Sequence, residues 1–174
     1  MGTRKVSYAL DNGTICQAMC FLTSESLIDI DRNIVNTTGI FTGPFRITNI
    51  TPLDEIYSPV IAIDSTNIIH MAWLQKSNNT TWQLRYTSFS TTTPQSLPFI
   101  QNLSIQASLQ GNQISMLVDQ QQQLHFLLRA QSMQNSEFYS TDLIYIRYKN
   151  GTLQEEKIIP TAYMLSTADL LLNP

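Results

Sequence analysis

Two pairs of residues, each an aspartate followed six positions later by a histidine, are the first candidates for chemistry in this sequence of 174 residues. The pairs are Asp64 with His70 and Asp119 with His125. Together with a serine, such a pair could form the acid, base and nucleophile of a hydrolase. A hydrolase needs one constellation in one place, however, whereas these residues recur in matching surroundings. We therefore expect a structural role within each repeat, and we assign no catalytic residue.

The turn after each aspartate indicates what that role is. "DSTN" begins at Asp64 and "DQQQQ" begins at Asp119, and an aspartate side chain can accept hydrogen bonds from the amides of the turn that follows it. A histidine on the strand after the turn is then expected to bond the backbone of a neighbouring sheet. The residues interpreted as structural repeat positions are Asp11, Asp64, Asp119, His70 and His125.

No metal site and no cofactor are predicted. Cys16 and Cys20 lie in "ICQAMCF", an extended segment in which four residues span about 13 Å, well beyond the roughly 7 Å that a disulfide allows between Cα atoms. We interpret both as small buried side chains. "DIDRN" at 29–33 opens like a calcium loop, but Ile34 and Ile40 occupy the positions that need glycine and glutamate.

Candidate binding residues are aromatic or basic. Glycosidase chemistry would need two facing carboxylates, or a tyrosine nucleophile with an acid, and the sequence supplies no such set. Aromatic rings can still stack on sugars or bury against a neighbouring strand. The segment "AQSMQNSEFYST" at 130–141 predicts a long loop, and loops on a rigid scaffold often carry binding contacts. The candidates are Trp73, Trp82, Arg85, Tyr86, Phe138 and Tyr139.

The segments that must position these residues recur with a period of 53 to 55 residues. Asp11, Asp64 and Asp119 are 53 and 55 residues apart, and His70 and His125 are 55 apart. Each aspartate follows a short apolar run and precedes a polar turn and a second apolar run. A period near 50 residues is typical of propellers and solenoids.

The later part of each unit also matches. "WQLRYTSFS" (82–90) and "LIYIRYKNG" (143–151) share an apolar-Arg-Tyr core, which aligns Tyr86 with Tyr148, and each precedes a fourth, more polar extended stretch. Asn12-Gly13 and Asn150-Gly151 are strong hairpin signals.

Four strands per unit at this period are typical of a β-propeller blade. The predicted fold is all-β: a β-propeller fragment of about three four-stranded antiparallel blades plus the first strand of a fourth. The predicted blades cover 5–52, 58–106 and 113–160, and 166–174 is the predicted opening strand of a further blade.

Residues 58–73, "SPVIAIDSTNIIHMAW", resemble the sialidase-like, Asp-box-related propeller repeats, which read Pro-x-Ile-Ala-Val-Asp, turn, Ile-His-Val-x-Trp. The resemblance extends over nearly the whole chain at the level of the superfamily, and it implies a propeller. True Asp-boxes are absent, so the resemblance does not imply sialidase activity. The matching residues are Pro59, Ile61, Ala62, Ile63, Asp64, Ile69, His70 and Trp73.

Composition restricts the partners. Charged residues make up 13% of the chain, against about 25% in an ordinary soluble domain, and this favours an extracellular or cell-envelope β-protein, although "MGTRKVSYAL" contains no signal peptide. The net charge of −3 provides no basic field for nucleic acid. No apolar run reaches the roughly 18 residues of a membrane span.

The sequence therefore predicts a non-catalytic binding or scaffold module whose partner is a carbohydrate or another protein. One alternative is an incomplete portion of a carbohydrate-active enzyme whose catalytic residues lie outside this chain. Another is a small lectin that closes a ring by self-association through its open blade edges.

Overall fold

The chain is organised as antiparallel β-strands in a computed structural model. The structure describes residues 5–9, 15–22, 28–35, 41–46, 55–66, 68–76, 82–90, 101–103, 114–132 and 140–159, with the backbone alone described in the first four of these segments and at 55, 57, 129–132 and 140–142. Within these ranges the chain forms twelve strands. Within the described residues, no helix is long and apolar enough to cross a membrane.

The strands form three sheets of four strands each, and in every sheet the strands pair in chain order. The first sheet contains β1 (Lys5–Ala9), β2 (Ile15–Leu22), β3 (Ile28–Val35) and β4 (Phe41–Arg46). The second contains β5 (Glu55–Ile63), β6 (Ile68–Lys76), β7 (Gln83–Ser90) and β8 (Gln101–Leu103). The third contains β9 (Ile114–Val118), β10 (Leu124–Ser132), β11 (Ser140–Lys149) and β12 (Thr152–Ile159).

In the described part of the chain, the prediction of an all-β fold built of four-stranded antiparallel sheets is confirmed. Cys16 and Cys20 both lie in β2, and the segment 29–33 lies in β3. Both segments alternate or run apolar in the sequence, as strands do. Asp11 lies outside the described residues.

The hairpin between β11 and β12 has the turn that its sequence predicts. Asn150 has φ 50° and Gly151 has φ 74°. A two-residue type I′ turn requires positive φ at both positions, which explains the preference for Asn-Gly there. Asn12-Gly13, the other predicted hairpin, lies outside the described residues.

The second sheet is buried on both faces, because successive residues of a strand point to opposite sides. Ile69, Met71 and Trp73 of β6 are fully buried on one face. Ala72 and Leu74 alternate with them and belong to the core cluster shared with the third sheet. The first sheet contacts the second mainly through β5.

The third sheet has two unlike faces. Phe126 and Leu128 of β10 are fully buried and belong to the core cluster shared with the second sheet. His125 and Leu127 alternate with them and are half-buried on the opposite face, with Tyr145 of β11 beside them. In the second sheet the face with His70 is directed towards the third sheet, whereas in the third sheet the face with His125 is directed away from the second. The second and third sheets are thus stacked in one direction.

Cross-strand pairing corrects the alignment of the third strands. Tyr86 is paired with Ala72, and Tyr145 is paired with Leu127. Ala72 and Leu127 each lie two residues after the histidine of their sheet, so Tyr145 is the equivalent of Tyr86. The sequence alignment with Tyr148 is wrong by three residues, and an odd slip moves every side chain to the other face.

The same register separates the two arginines that the sequence placed in corresponding positions. Arg85 is paired with Trp73, on the face turned away from the third sheet. Arg147 is paired with His125, on the histidine face of its own sheet. They are therefore not equivalent.

The loop predicted at 130–141 is shorter than expected. β10 continues to Ser132 and β11 begins at Ser140, and these two residues are paired with each other. Residues 133–139, which include the candidates Phe138 and Tyr139, lie outside the described residues.

Candidate functional site

Asp64 holds the turn between β5 and β6. Its Oδ1 accepts hydrogen bonds from the backbone N–H groups of Thr66 at 2.8 Å and Ile68 at 2.9 Å. The Thr66 hydroxyl donates to the same oxygen at 2.8 Å. The turn closes with a backbone bond from the N–H of Asp64 to the carbonyl of Ile68 at 3.0 Å. One carboxylate oxygen is therefore fully used by the turn.

The other carboxylate oxygen of Asp64 binds His70. Nε2 of His70 lies 3.2 Å from Oδ2 of Asp64, and Nδ1 lies 2.7 Å from the hydroxyl of Tyr86. A carboxylate can only accept, so Nε2 is assigned the proton, and Nδ1 then accepts from the tyrosine hydroxyl. The bonds run in one direction, from Tyr86 through His70 to Asp64.

The third sheet repeats this arrangement on its own half-buried face. Oδ1 of Asp119 accepts from the N–H groups of Gln121 and Gln123, both at 2.8 Å. Nε2 of His125 lies 3.0 Å from Oδ2 of Asp119, and Nδ1 lies 2.7 Å from the hydroxyl of Tyr145. Each histidine therefore joins the first turn of its own sheet to the third strand. We expected each histidine to bond the backbone of a neighbouring sheet, and a tyrosine of its own sheet takes that place. In the second sheet Tyr86 lies on the same face as His70, two residue pairs along the ladder between β6 and β7.

Electrostatics keep His70 neutral and Asp64 charged. Burial lowers the pKa of His70 below its usual value, and Asp64 opposes this only in part. Burial acts to raise the pKa of Asp64, but the hydrogen bonds from Ile68, Thr66 and His70 outweigh it, so the pKa lies below its usual value. Burial also raises the pKa of Tyr86. Both ring nitrogens of His70 are engaged, which favours a structural over a catalytic role.

A cleft of about 210 Å³ lies where this network meets the turns of the third sheet. Its apolar residues are Leu103, Leu124 and Tyr148, all buried, and burial raises the pKa of Tyr148 to about 12. Among the described residues no lysine or arginine lines the cleft, and Asp64 is its one acidic side chain. The polar lining residues are Asp64, His70, Tyr86, Ser88, Gln101, Gln122 and Asn150.

The candidate binding residues are dispersed in the structure. Of the four that are described, only Tyr86 lines the cleft. Trp73 is fully buried, and its Nε1 donates to Oε1 of Gln75 at 3.3 Å. Trp82 packs against the core cluster, with Nζ of Lys76 5.8 Å from its ring centroid.

Arg85 adds an unusual feature to β7. Its Nε is buried and has no hydrogen-bond partner, as is also the case for Nε of Arg147. The guanidinium of Arg147 reaches Glu155 at 3.2 Å, on a half-exposed part of the third sheet. Neither arginine is a lining residue of the cleft.

Sequence reasoning missed most of the cleft. It treated the glutamines after Asp119 only as a solvated turn, whereas Gln122 lines the cleft. Gln101 and Asn150 come from strands and turns far apart in the chain. Gln122 and Asn150 share a positive φ. Of these two, only the conformation of Asn150 could be predicted from the sequence, from the Asn-Gly pair.

No protein-family model matches the chain, and no curated protein sequence is similar to it. Its fold nevertheless corresponds to part of two solved polysaccharide lyases. The crystal structure of the polysaccharide lyase Uly1 superposes with a TM-score of 0.62 and 11% sequence identity, over 96% of this chain and 42% of that one. A PL25 ulvan lyase superposes with a TM-score of 0.61 and 14% identity, over 95% of this chain and 44% of that one. The likeness is one of fold. The chain spans less than half the length of either lyase.

Proposed function

We propose that the three sheets are consecutive blades of a β-propeller, with boundaries near 5–52, 58–106 and 113–160. Two features support this: each sheet is a meander in chain order, and the second and third sheets stack in one direction, as blades around an axis do. The resemblance to sialidase-like repeats belongs to the same proposal. The greater length of the two similar lyases leaves room for further blades.

The half-buried histidine face of the third sheet supports a further blade. The corresponding face of the second sheet is covered by the third, whereas Leu127 and Tyr145 remain half-buried. The connections between successive sheets are 47–54 and 104–113, of eight and ten residues. A connection of ten residues after Ile159 would bring the next first strand to Leu170. We therefore propose that 166–174, which lie outside the described residues, open a further blade.

The function that we infer is binding of carbohydrate, without catalysis, as part of a polysaccharide-active protein. The fold shared with two polysaccharide lyases carries this proposal. An extracellular or cell-envelope location fits a polysaccharide partner, and the polar, weakly charged composition agrees with it.

The chemistry of the cleft supports a non-catalytic role. Eliminative cleavage of a uronic-acid polymer needs a base for the proton next to the carboxylate, an acid for the leaving group and a positive group near the developing charge. His70 has both nitrogens engaged by Asp64 and Tyr86. Within the described residues the lining provides no positive side chain.

A second candidate function is a portion of a carbohydrate-active enzyme whose catalytic residues lie outside this chain. The solved structures favour it, because both similar proteins are named as lyases and the chain spans less than half of each. In this case the present chain would contribute scaffold and binding surface only.

Affinity electrophoresis of the 174-residue chain in gels that contain neutral or acidic polysaccharides tests the main proposal. Retardation by at least one polysaccharide, without ultraviolet absorbance from an unsaturated product in solution, is the expected result. Product formation would establish catalysis and overturn the non-catalytic proposal. Retardation by none would overturn the binding proposal. Light scattering addresses the lectin alternative, which a monomeric mass would exclude.

A further inference from the structure

Among the described residues, three that carry side-chain amides line the cleft between the second and third sheets. Gln101 comes from β8, Gln122 from the turn between β9 and β10, and Asn150 from the hairpin between β11 and β12. None of these amides has a hydrogen-bond partner within the described part of the chain. Each provides both a donor and an acceptor. This is the pairing that a sugar hydroxyl, itself donor and acceptor, can satisfy.

One of the amides is held on backbone that its side chain does not favour. Gln122 has φ 58°, and left-handed conformations are uncommon for residues other than glycine, asparagine and aspartate. Asn150 has φ 50°, which is the conformation that the Asn-Gly turn favours. Strained residues such as Gln122 cluster at binding and catalytic sites. Gln122 and Asn150 stand on adjacent turns of one sheet, and both line the cleft.

The charge of the cleft selects among carbohydrates. Asp64 is the one carboxylic acid among the described lining residues, and its pKa lies below its usual value because its hydrogen bonds outweigh the opposing effect of burial, so the carboxylate is ionised at neutral pH. No lysine or arginine among the described residues lines the cleft. A uronate or sulfate would enter beside a negative charge without a cation to pair with it, and unpaired charge of this kind is costly to desolvate.

The size of the cleft restricts the ligand further. Its volume of about 210 Å³ is below the roughly 300–1,000 Å³ of sites that enclose a drug-sized molecule. One sugar ring at the end or side of a longer chain fits this volume better than an enclosed oligosaccharide. Leu103 and Leu124 provide an apolar floor for the ring carbons.

We propose that this cleft binds one ring of a neutral sugar, with the amides of Gln101, Gln122 and Asn150 as its hydrogen-bond partners. The inference rests on the proposed carbohydrate-binding function and narrows it to uncharged saccharides. Asp64 contributes by excluding acidic rings, while its hydrogen bonds to the turn and to His70 remain intact.

The test uses the 174-residue chain and its Q122G/N150G variant. Glycine removes both amides and keeps the positive φ at each position, so the turns are retained. The matched control is Gln121→Ala, a change in the same turn at a residue that does not line the cleft. Binding of neutral and of uronate-containing oligosaccharides is measured by isothermal titration calorimetry, with circular dichroism to compare the folds.

The expected result is binding of a neutral oligosaccharide that weakens about tenfold or more in Q122G/N150G, as the loss of two hydrogen bonds implies, and is unchanged in the control. Neutral binding that survives in the double variant would overturn the assignment to this cleft. Binding of acidic oligosaccharides alone would overturn the neutral class and leave the proposed function standing. Binding of neither class would overturn both.

Discussion

Nδ1 of His70 lies 2.7 Å from the hydroxyl oxygen of Tyr86, which belongs to the neighbouring strand. The distance between His125 and Tyr145 in the next sheet is the same, 2.7 Å. In both sheets the second histidine nitrogen reaches an aspartate that holds the first turn. The histidine therefore ties a turn, the second strand and the third strand together. This contact is internal to each sheet and does not depend on a neighbour.

Removal of the Tyr86 hydroxyl, in the second sheet, should destabilise the chain more than removal of the Tyr145 hydroxyl, in the third sheet. We expect Tyr86→Phe to lower the free energy of unfolding by about 1–2 kcal/mol, since it leaves a buried histidine nitrogen without its donor. Tyr145→Phe should cost less than about 1 kcal/mol, because water can reach the half-exposed site. Urea denaturation measures both, and equal effects in the two variants would contradict the argument.

A double-mutant cycle is the control for that prediction. His70→Leu combined with Tyr86→Phe should show a coupling energy, because the two side chains share one hydrogen bond. Additive effects would mean that the contact contributes nothing to stability.

Stability should fall as the pH drops below about 6.5, the usual pKa of histidine. Burial lowers the pKa of folded His70 below that value, so the unfolded chain takes up a proton that the folded chain does not. Stability then rises with pH across this window. The contribution of His70 is present above the unfolded pKa and is lost progressively below it.

Urea denaturation at a series of pH values between about 5 and 8 measures this effect. The His70→Leu variant is the control, and its stability should depend less on pH in this range. A variant with the same pH dependence as the unchanged chain would assign the effect to other groups.

Glycine at position 122 should stabilise the chain. Gln122 has φ 58°, a conformation that costs a residue with a side chain roughly 1–2 kcal/mol. Relief of this cost exceeds the roughly 0.4–1 kcal/mol that glycine loses through the entropy of the unfolded chain, so Gln122→Gly should raise the free energy of unfolding by about 0.5–1 kcal/mol. Gln121→Gly is the matched control. Its φ is not positive, so glycine there should lower stability by a similar amount, through the entropy of the unfolded chain. The same sign of change in both variants would be inconsistent with left-handed strain.

Two adjacent residues of β10 should differ sharply in their contribution to stability. Phe126 is fully buried against the second sheet, so Phe126→Ala should cost about 3–5 kcal/mol. Leu127 points to the half-buried face, and Leu127→Ala should cost about 1 kcal/mol. Thermal and urea unfolding compare the two. Large and similar costs would mean that the second face is already fully packed, against the proposal that a further blade is needed to cover it.

The sequence was most informative where the structure is local. The turn that Asp64 holds was predicted from the short segment that follows it and its recurrence at Asp119, whereas the histidine was assigned a backbone partner in a neighbouring sheet and binds Asp64 and Tyr86 instead. Asn150-Gly151 likewise specifies its own hairpin. These features need no knowledge of what packs against them.

Register and inter-sheet geometry were not accessible in the same way. Tyr145 and Tyr148 both lie on β11, and only the pairing with Leu127 identifies Tyr145 as the partner of histidine. A three-letter match around Arg147 was too short to fix the register. The cleft was missed because Gln101 and Asn150 meet only when two sheets are packed together.

The stacking of the sheets has a consequence for how such a protein can grow. The second sheet presents one face to the sheet before it and the other face, with His70, to the sheet after it. A duplicated copy of that unit, spliced in beside it, would meet the same kind of surface on each side. Neither existing partner would need to change, so the number of units is a quantity that gene duplication can alter one step at a time.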